Sequence, residues 1–287
     1  MLEKVDRPPT GSGPLDGETV AVKELVAIGG HELSANSEVP LPDHWAHPTE
    51  DAAIVAALRN AGARIVGTTT THEFAWGITA YDRGRKVENP VMPGRVAGGS
   101  SGGSAESVAL GEATIGIGTD TGGSARIPAA WCHLVGWKFS DGLMSMDGIL
   151  PLAPGLDHPG LMARSAEVLL RAASGIGAEA LTLQPKILTP SPEWLGPNDH
   201  AALGGVEDVV RILTTEGAFG SGTASGLPSQ RDMAICFGLI QGPAVVTAHR
   251  DMIGTWPRER AHYPDYIVQR LEAAEERSAM ELDSGKR

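Results

Sequence analysis

The chain has 287 residues, of which 41% are hydrophobic and 5% aromatic, and its formal net charge is −12. This length is enough for one large domain or two small ones, while the negative charge and the few aromatic residues disfavour a nucleic-acid-binding surface. The two cysteines exclude a disulfide scaffold and a multi-cysteine metal site, and neither a signal peptide nor an apolar run of membrane-spanning length is apparent, so we expect a cytoplasmic protein.

The first predicted elements alternate between strand and helix. Residues 1–18 are polar and rich in Pro and Gly, which predicts an N-terminal arm or loop. Apolar and polar residues alternate over 18–25, which predicts a strand, and a helical apolar pattern over 49–62 predicts a helix capped by Thr49. A buried strand is predicted at 63–69. A helix that leads directly into a buried strand is typical of an α/β fold.

A glycine-rich stretch follows, with ten glycines between Gly94 and Gly123. A helix is predicted within it at 104–113, a buried strand at 114–120 and the start of a helix or turn at 124–131. Because ordered segments are embedded in the stretch, we interpret it as a region of close backbone packing rather than a flexible linker.

The remaining elements are mostly helical, and further helices are predicted at 165–177, 206–217 and 266–282. Four prolines predict a linker or surface loop at 185–200. The predicted organisation is therefore an arm (1–18), a core (19–184), this linker or loop, and a C-terminal helical part of the same domain (201–287).

The segment Gly118–Ala130 combines a serine with an anion-binding turn. Thr121, Gly122, Gly123 and Ser124 follow a predicted buried strand, and the glycines let successive N–H groups point at one spot. A serine at the end of such a turn can attack a carbonyl carbon while those N–H groups stabilise the oxyanion. The four residues are the predicted oxyanion hole, and Ser124 is the candidate nucleophile.

This serine requires a base, because a hydroxyl is a weak nucleophile while it keeps its proton. The serine-containing loops contain no histidine, whereas Lys23 lies in an apolar segment where burial can keep its amine neutral. Ser100, in the glycine-rich loop Gly98–Ala105, can relay the proton between Ser124 and Lys23. This set of residues requires neither a metal nor an organic cofactor.

The segments that carry these residues resemble those of the amidase signature family of serine amidohydrolases. The resemblance rests on AVKE around Lys23, on the ungapped stretch GGSSGGSAESVALGEATIGIGTDTGGSARIPAAWCHLVGWK and on LDHPGLMARS. It implies a three-layer α/β/α sandwich around a central mixed sheet. It also implies hydrolysis of a carbon–nitrogen amide bond in a small-molecule substrate, without a cofactor.

The resemblance further implies a role for each matching residue. Ser124 matches the acyl-accepting nucleophile, Ser100 the bridging serine and Lys23 the general base and acid. Three more positions, which we expect to support the loop, are Ser101, Asp120 and Arg126. The peptide bond before the bridging serine is cis in that family, and here it is Gly99–Ser100.

Two other hypotheses stay open. Members of the family are longer, so the resemblance implies an incomplete C-terminal part, and the chain could be a truncated non-catalytic remnant or a partner-dependent subunit, with a homodimer as one form. Alternatively, Gly98–Gly102 fits the G-x-S-x-G elbow of α/β-hydrolase-like esterases, with Ser100 as nucleophile and with Asp157 and His158 following in the required order.

Overall fold

The computed structural model describes residues 3–82, 85–178, 186–190, 194, 200–215, 220–224 and 226–284. The chain forms two compact units. The first comprises Met1–Glu179 and Gln241–Arg287, and the second comprises Ala180–Ile240. The candidate catalytic residues all belong to the first unit.

The strands of the described residues form three sheets. They are β1 (Glu3–Arg7), β2 (Thr19–Lys23), β3 (Arg64–Thr69), β4 (Tyr81–Asp82), β5 (Arg85–Lys86), β6 (Ile115–Asp120), β7 (Val135–Lys138), β8 (His158–Ala163), β9 (Lys186–Pro190) and β10 (Gly220–Ala224). The large sheet has the order β1-β3-β2-β6-β8-β7. Within it β3, β2 and β6 are parallel, and the other three strands pair antiparallel to their neighbours. Strands β4 and β5 form an antiparallel pair, and β9 and β10 form a parallel pair in the second unit.

The helices are α1 (Asp43–Ala46), α2 (Ala53–Asn60), α3 (Gly102–Leu110), α4 (Arg126–Trp131), α5 (Ala166–Gly175), α6 (His200–Thr215), α7 (Gln230–Thr247) and α8 (Asp265–Ser284). The described residues also contain two short 3₁₀ segments, Glu73–Ala75 and Arg260–His262, and one π-helical segment, Ala248–Met252. No helix within the described ranges is long and apolar enough to cross a membrane.

Helices cover both faces of the large sheet, and β6 shows why. Ile115 and Ile117 point into the main apolar core, which also contains buried residues of α2, α5 and α8. Gly116 and Gly118 alternate with them, and on that face a second cluster contains residues of α3 and α4. A Cβ on Gly116 would lie 3.1 Å from the carbonyl oxygen of Ser104, so glycine lets α3 approach the strand closely. The predicted three-layer α/β/α arrangement is therefore confirmed.

Two predictions near the N-terminus need correction. Residues 1–18 are not simply an arm, because β1 pairs with β3 and buries Val5. Charged residues around Val5 hide the strand in the sequence but suit an edge strand. The helix predicted from Thr49 begins at Ala53. The carboxylate of Asp51 accepts a hydrogen bond from the N–H of Gly29 at 2.8 Å, which holds the preceding residues in a loop.

The C-terminal organisation also differs from the prediction. The predicted linker or loop at 185–200 contains β9, which pairs with β10, while residues 191–193 and 195–199 lie outside the described residues. Residues 201–287 do not form one helical part of the core domain, because Ala180–Ile240 is a separate unit and only Gln241–Arg287 belongs to the first. A prediction from local pattern cannot detect the parallel pairing of two short strands that are far apart in sequence.

Candidate active site

The candidate site lies where three parallel strands end. Lys23 is the last residue of β2, Thr69 of β3 and Asp120 of β6. Because parallel strands present their carboxyl ends at one edge of a sheet, these residues and the loops that follow them meet there. The loop before α3 brings Ser100 to this edge, and the loop after β6 carries Ser124.

Lys23 is fully buried and lies within reach of two hydroxyl groups. Its Nζ is 2.8 Å from Ser100 Oγ and 2.8 Å from Thr119 Oγ1. Burial lowers the pKa of Lys23 to about 7, although the nearby carboxylates of Asp120, Asp157 and Glu24 favour its charged form. A substantial fraction of the amine is therefore neutral near pH 7 and able to accept a proton.

The main chain around Ser100 is tightly held. The Gly99–Ser100 peptide bond is cis, as the resemblance implied. The carbonyl oxygen of Ser100 accepts hydrogen bonds from the N–H of His72 at 3.0 Å and from the hydroxyl of Thr71 at 3.1 Å. These contacts fix the orientation of the backbone from which the Ser100 hydroxyl projects toward Lys23.

Ser101 connects α3, β6 and the Ser124 loop. Its N–H donates to the carbonyl oxygen of Ser124 at 3.1 Å, and its hydroxyl lies 3.3 Å from both the N–H and the carbonyl oxygen of Thr119. Ser124 is 9% exposed, whereas Ser100 and Lys23 are 0% exposed, so Ser124 is the most accessible of the three predicted catalytic residues. Within the described residues, no hydrogen bond joins the hydroxyls of Ser100 and Ser124.

Asp120 and Arg126 shape the loop that carries Ser124. The Asp120 carboxylate accepts hydrogen bonds from the N–H groups of Gly123, Ala125 and Arg126, and the Arg126 guanidinium binds both of its oxygens at 2.9 Å. Burial alone would raise the pKa of Asp120, but these hydrogen bonds and the positive charge of Arg126 hold it below its ordinary value. One ionised carboxylate therefore closes the turn around the serine.

The predicted oxyanion hole is only partly free to bind an anion. The N–H of Gly123 donates to Asp120 Oδ1 at 2.8 Å, so it already has a partner. The N–H groups of Thr121, Gly122 and Ser124 make no hydrogen bond within the described part of the chain. The hydroxyl of Thr121 donates to Asp157 Oδ1 at 2.6 Å, which fixes the start of the turn.

Two residues, Thr119 and Asp157, contribute to this site although the sequence did not predict that role for them. Thr119 is the second hydroxyl partner of Lys23, but its role depends on β6 being the neighbour of β2, which local pattern does not reveal. Asp157 holds Thr121 and accepts hydrogen bonds from the N–H groups of Leu152 and Ala153 at 2.9 and 2.8 Å. In the sequence, Asp157 stood out only through its place in the LDHPG segment and through its order after Ser100 in the esterase hypothesis.

The arrangement does not favour an esterase elbow at Ser100. An elbow requires a strand directly before the nucleophile. Residues 88–100 instead contain turns and a single bridge between Glu88 and Val96. His158, the base of that hypothesis, has its Nδ1 2.8 Å from the carbonyl oxygen of Leu156. Ser100 is fully buried and is therefore poorly placed to receive a substrate.

Comparison with known proteins gives a consistent result. The family model described as Amidase matches residues 3–192. A glutamyl-tRNA(Gln) amidotransferase subunit from Natronomonas pharaonis is 47% identical over 160 residues, which cover 55% of this chain and 37% of that protein. Indoleacetamide hydrolase of Pseudomonas savastanoi is 42% identical over 154 residues, or 53% of this chain and 33% of that protein.

Solved structures resemble the chain over a longer span. A crystal structure described as an amidase has a TM-score of 0.76 and 30% identity, covering 91% of this chain and 59% of that one. Allophanate hydrolase of Kluyveromyces lactis has a TM-score of 0.73 and 25% identity, covering 91% and 44%. The chain spans between about a third and a half of the length of the curated relatives it matches.

Proposed function

The chain belongs to the amidase family, and we propose that it hydrolyses a carbon–nitrogen amide bond in a small molecule through an acyl-Ser124 intermediate. The observation that carries the proposal is the 2.8 Å contact between Lys23 Nζ and Ser100 Oγ, in surroundings where both residues are fully buried. The ordered turn at Ser124 supports the same chemistry, as do the N–H groups of Thr121, Gly122 and Ser124, which have no hydrogen-bond partner among the described residues.

In the first half-reaction, Ser124 Oγ forms a bond to the carbonyl carbon of the amide. Ser100 accepts the proton of Ser124 while it gives its own proton to neutral Lys23. The carbonyl oxygen becomes an oxyanion, which the N–H groups of Thr121, Gly122 and Ser124 stabilise. The carbon–nitrogen bond then breaks, and the leaving amine takes a proton from Lys23 through Ser100.

In the second half-reaction, water replaces the amine. Lys23 accepts a proton from the water through Ser100, and the hydroxide formed attacks the acyl-Ser124 ester. The ester bond breaks, the proton returns to Ser124, and the carboxylic acid leaves. The cycle balances without an oxidant, a metal or an organic cofactor.

Asp120 and Arg126 support this cycle by shaping the turn, and Ser101 supports it by joining Ser124 to α3 and β6. We propose a small-molecule amide as substrate because the relatives named above include indoleacetamide hydrolase. A cytoplasmic setting fits the two free cysteines, Cys132 and Cys236, because such compartments keep thiols reduced.

Labelling with a fluorophosphonate, followed by peptide mapping, tests the proposal directly. We expect the label on Ser124 of the wild-type chain and no label in Ser124→Ala. Ser100→Ala and Lys23→Ala should each slow labelling by roughly 10²- to 10⁴-fold, because each removes a step of proton transfer. The matched control is Ser107→Ala, which removes a buried hydroxyl from α3 that has no hydrogen-bond partner among the described residues.

Hydrolysis of a panel containing glutamine, an arylacetamide and an aliphatic amide then identifies the substrate class. Full hydrolysis by Ser124→Ala, or a label on Ser100, contradicts the mechanism. A folded wild-type chain that neither labels nor hydrolyses any amide contradicts the proposal and favours the second candidate, a polypeptide that works only with a partner. The observation behind that candidate is that the relatives include one component of an amidotransferase, of which this chain covers 37%.

A further inference from the structure

The segment 72–80, here called the His72 loop, lies against the backbone that carries Ser100. The N–H of His72 donates to the carbonyl oxygen of Ser100 at 3.0 Å. At the other end of the loop, a Cβ built on Gly99 would lie 2.8 Å from the main-chain nitrogen of Ala80, so only glycine allows this approach. Any shift of the His72 loop would therefore displace the cis Gly99–Ser100 unit.

This loop has a conformation that needs support from outside. Phe74, Ala75 and Ala80 have φ angles of 49°, 61° and 47°, in the left-handed region that non-glycine residues seldom adopt. Such backbone persists only where neighbouring structure holds it in place. The inner face of the loop is held by the core, because Phe74 stacks on Tyr263 at 5.5 Å.

The outer face of the loop is held by α8. Arg270 Nη1 donates to the carbonyl oxygen of Trp76 at 2.5 Å, and its guanidinium lies 4.9 Å from the centre of the Trp76 ring. One turn earlier, the Tyr266 hydroxyl donates to Glu73 Oε2 at 3.1 Å. The rings of Tyr266 and His72 are nearly perpendicular, with their centroids 6.1 Å apart. Residues four apart share one face of a helix, so both side chains reach the loop together.

The helix itself is anchored independently of these contacts. Ile267, Val268, Leu271 and Ala274 are buried in the main core.

The residues matched by the amidase family model end at 192, so that match does not include α8. The electrostatics agree with close approach, since burial, together with the charges of Arg270 and Lys23, lowers the pKa of His72 to about 4.

We infer that Arg270 and Tyr266 are positioning residues that hold the His72 loop against Ser100 and thereby set the Lys23–Ser100 contact. The C-terminal helix thus contributes to the candidate active site without touching the reacting atoms. The effect on catalysis rests on the proposed function, whereas the effect on the loop does not. Two measurements, one of each kind, therefore test the inference.

The first measurement is amide hydrogen exchange in peptides covering residues 71–80, which reports loop position whether or not the chain is catalytic. In Arg270→Ala we expect the amides of this segment to exchange about tenfold faster or more, while exchange in β6 stays unchanged. Tyr266→Phe, which removes only the hydroxyl, should increase exchange less. The matched control is Arg260→Ala, which removes an exposed ion pair between Arg260 and Glu272 of α8. This change should not alter exchange in the His72 loop.

The second measurement is the fluorophosphonate labelling rate between pH 6 and 9. We expect Arg270→Ala to slow labelling by roughly 10- to 100-fold. Its labelling midpoint should also move to higher pH, because a displaced loop admits water to Lys23 while Asp120, Asp157 and Glu24 stay in place. Mere loss of stability lowers the labelled fraction without moving the midpoint. Arg270→Lys should recover part of both effects, since it keeps the charge and one donor.

Unchanged exchange at residues 71–80 in both Arg270→Ala and Tyr266→Phe overturns the inference, whatever the labelling shows. Increased exchange with an unchanged labelling rate and midpoint overturns its catalytic part. Should Arg270→Ala fail to fold, Arg270→Lys and Tyr266→Phe carry the same two comparisons. A wild-type chain that does not label refutes the proposed function alone, because the exchange measurement still decides whether the helix positions the loop.

Discussion

The buried amine of Lys23 predicts a pH dependence near neutrality. With its pKa lowered to about 7 by burial, about one tenth of the amine is neutral at pH 6 and about nine tenths at pH 8. An ordinary lysine with a pKa of 10.5 is neutral in only about one molecule in three thousand at pH 7. We therefore expect the fluorophosphonate labelling rate of Ser124 to rise about tenfold between pH 6 and 8.

Glu24→Gln provides a directional check on the same reasoning. The Glu24 carboxylate favours the charged form of Lys23, so its removal should shift the labelling midpoint to lower pH. Glutamine keeps the shape of the side chain, and Ser34 can still donate to its side-chain oxygen, as it does to Glu24 at 3.2 Å. A wild-type rate that is flat between pH 6 and 8, or a midpoint near 10, refutes the assignment of neutral Lys23 as the base.

Three further predictions concern single residues. Thr119→Val should slow labelling by about fivefold, because it removes one of the two hydroxyls that lie 2.8 Å from Lys23 Nζ. An unchanged rate would mean that the Thr119 hydroxyl does not support Lys23. Gly103→Ala should lower the free energy of unfolding in urea by about 1–3 kcal/mol, because the new Cβ would lie 2.6 Å from the carbonyl oxygen of Thr70; an unchanged urea midpoint counts against this packing. Burial lowers the pKa of His249 from 6.5 to about 4. Between pH 6.5 and 4 the unfolded chain therefore binds more protons than the folded chain. The free energy of unfolding should fall by up to about 3 kcal/mol as the pH falls through this range. In His249→Phe the free energy of unfolding should not fall in this way between pH 6.5 and 4. If the free energies of unfolding of the two proteins change with pH in parallel, His249 has no such effect.

The predictable parts of the molecule are those whose signals are local. The strand at β2 follows from alternating apolar and polar residues, and those at β3 and β6 follow from short apolar runs. The cis bond at Gly99–Ser100 was expected only because the resemblance to the amidase signature family implies it. Lys23 could be chosen as a base because an apolar run of sequence correctly indicated burial. The catalytic roles of Lys23, Ser100 and Ser124 remain predictions until the labelling experiment is done.

The parts that could not be predicted depend on which segments become neighbours. Thr119 supports Lys23 only because β6 lies beside β2. The N–H of Gly123 was expected to face an oxyanion, but a carboxylate three residues earlier along the chain already binds it. The contacts of Arg270 join residues that are 194 positions apart, a separation at which periodicity carries no information.

The close contact between β6 and α3 restricts where this scaffold can change. A Cβ on Gly118 would lie 2.7 Å from Ser101 Oγ, and one on Gly116 would lie 2.9 Å from Met162 Cγ. Buried side chains of α3 and β8 and the carbonyl oxygen of Ser104 already fill the space that a side chain at either position would need. Gly116 and Gly118 therefore tolerate almost no substitution, so a change of substrate would have to come from residues outside this contact.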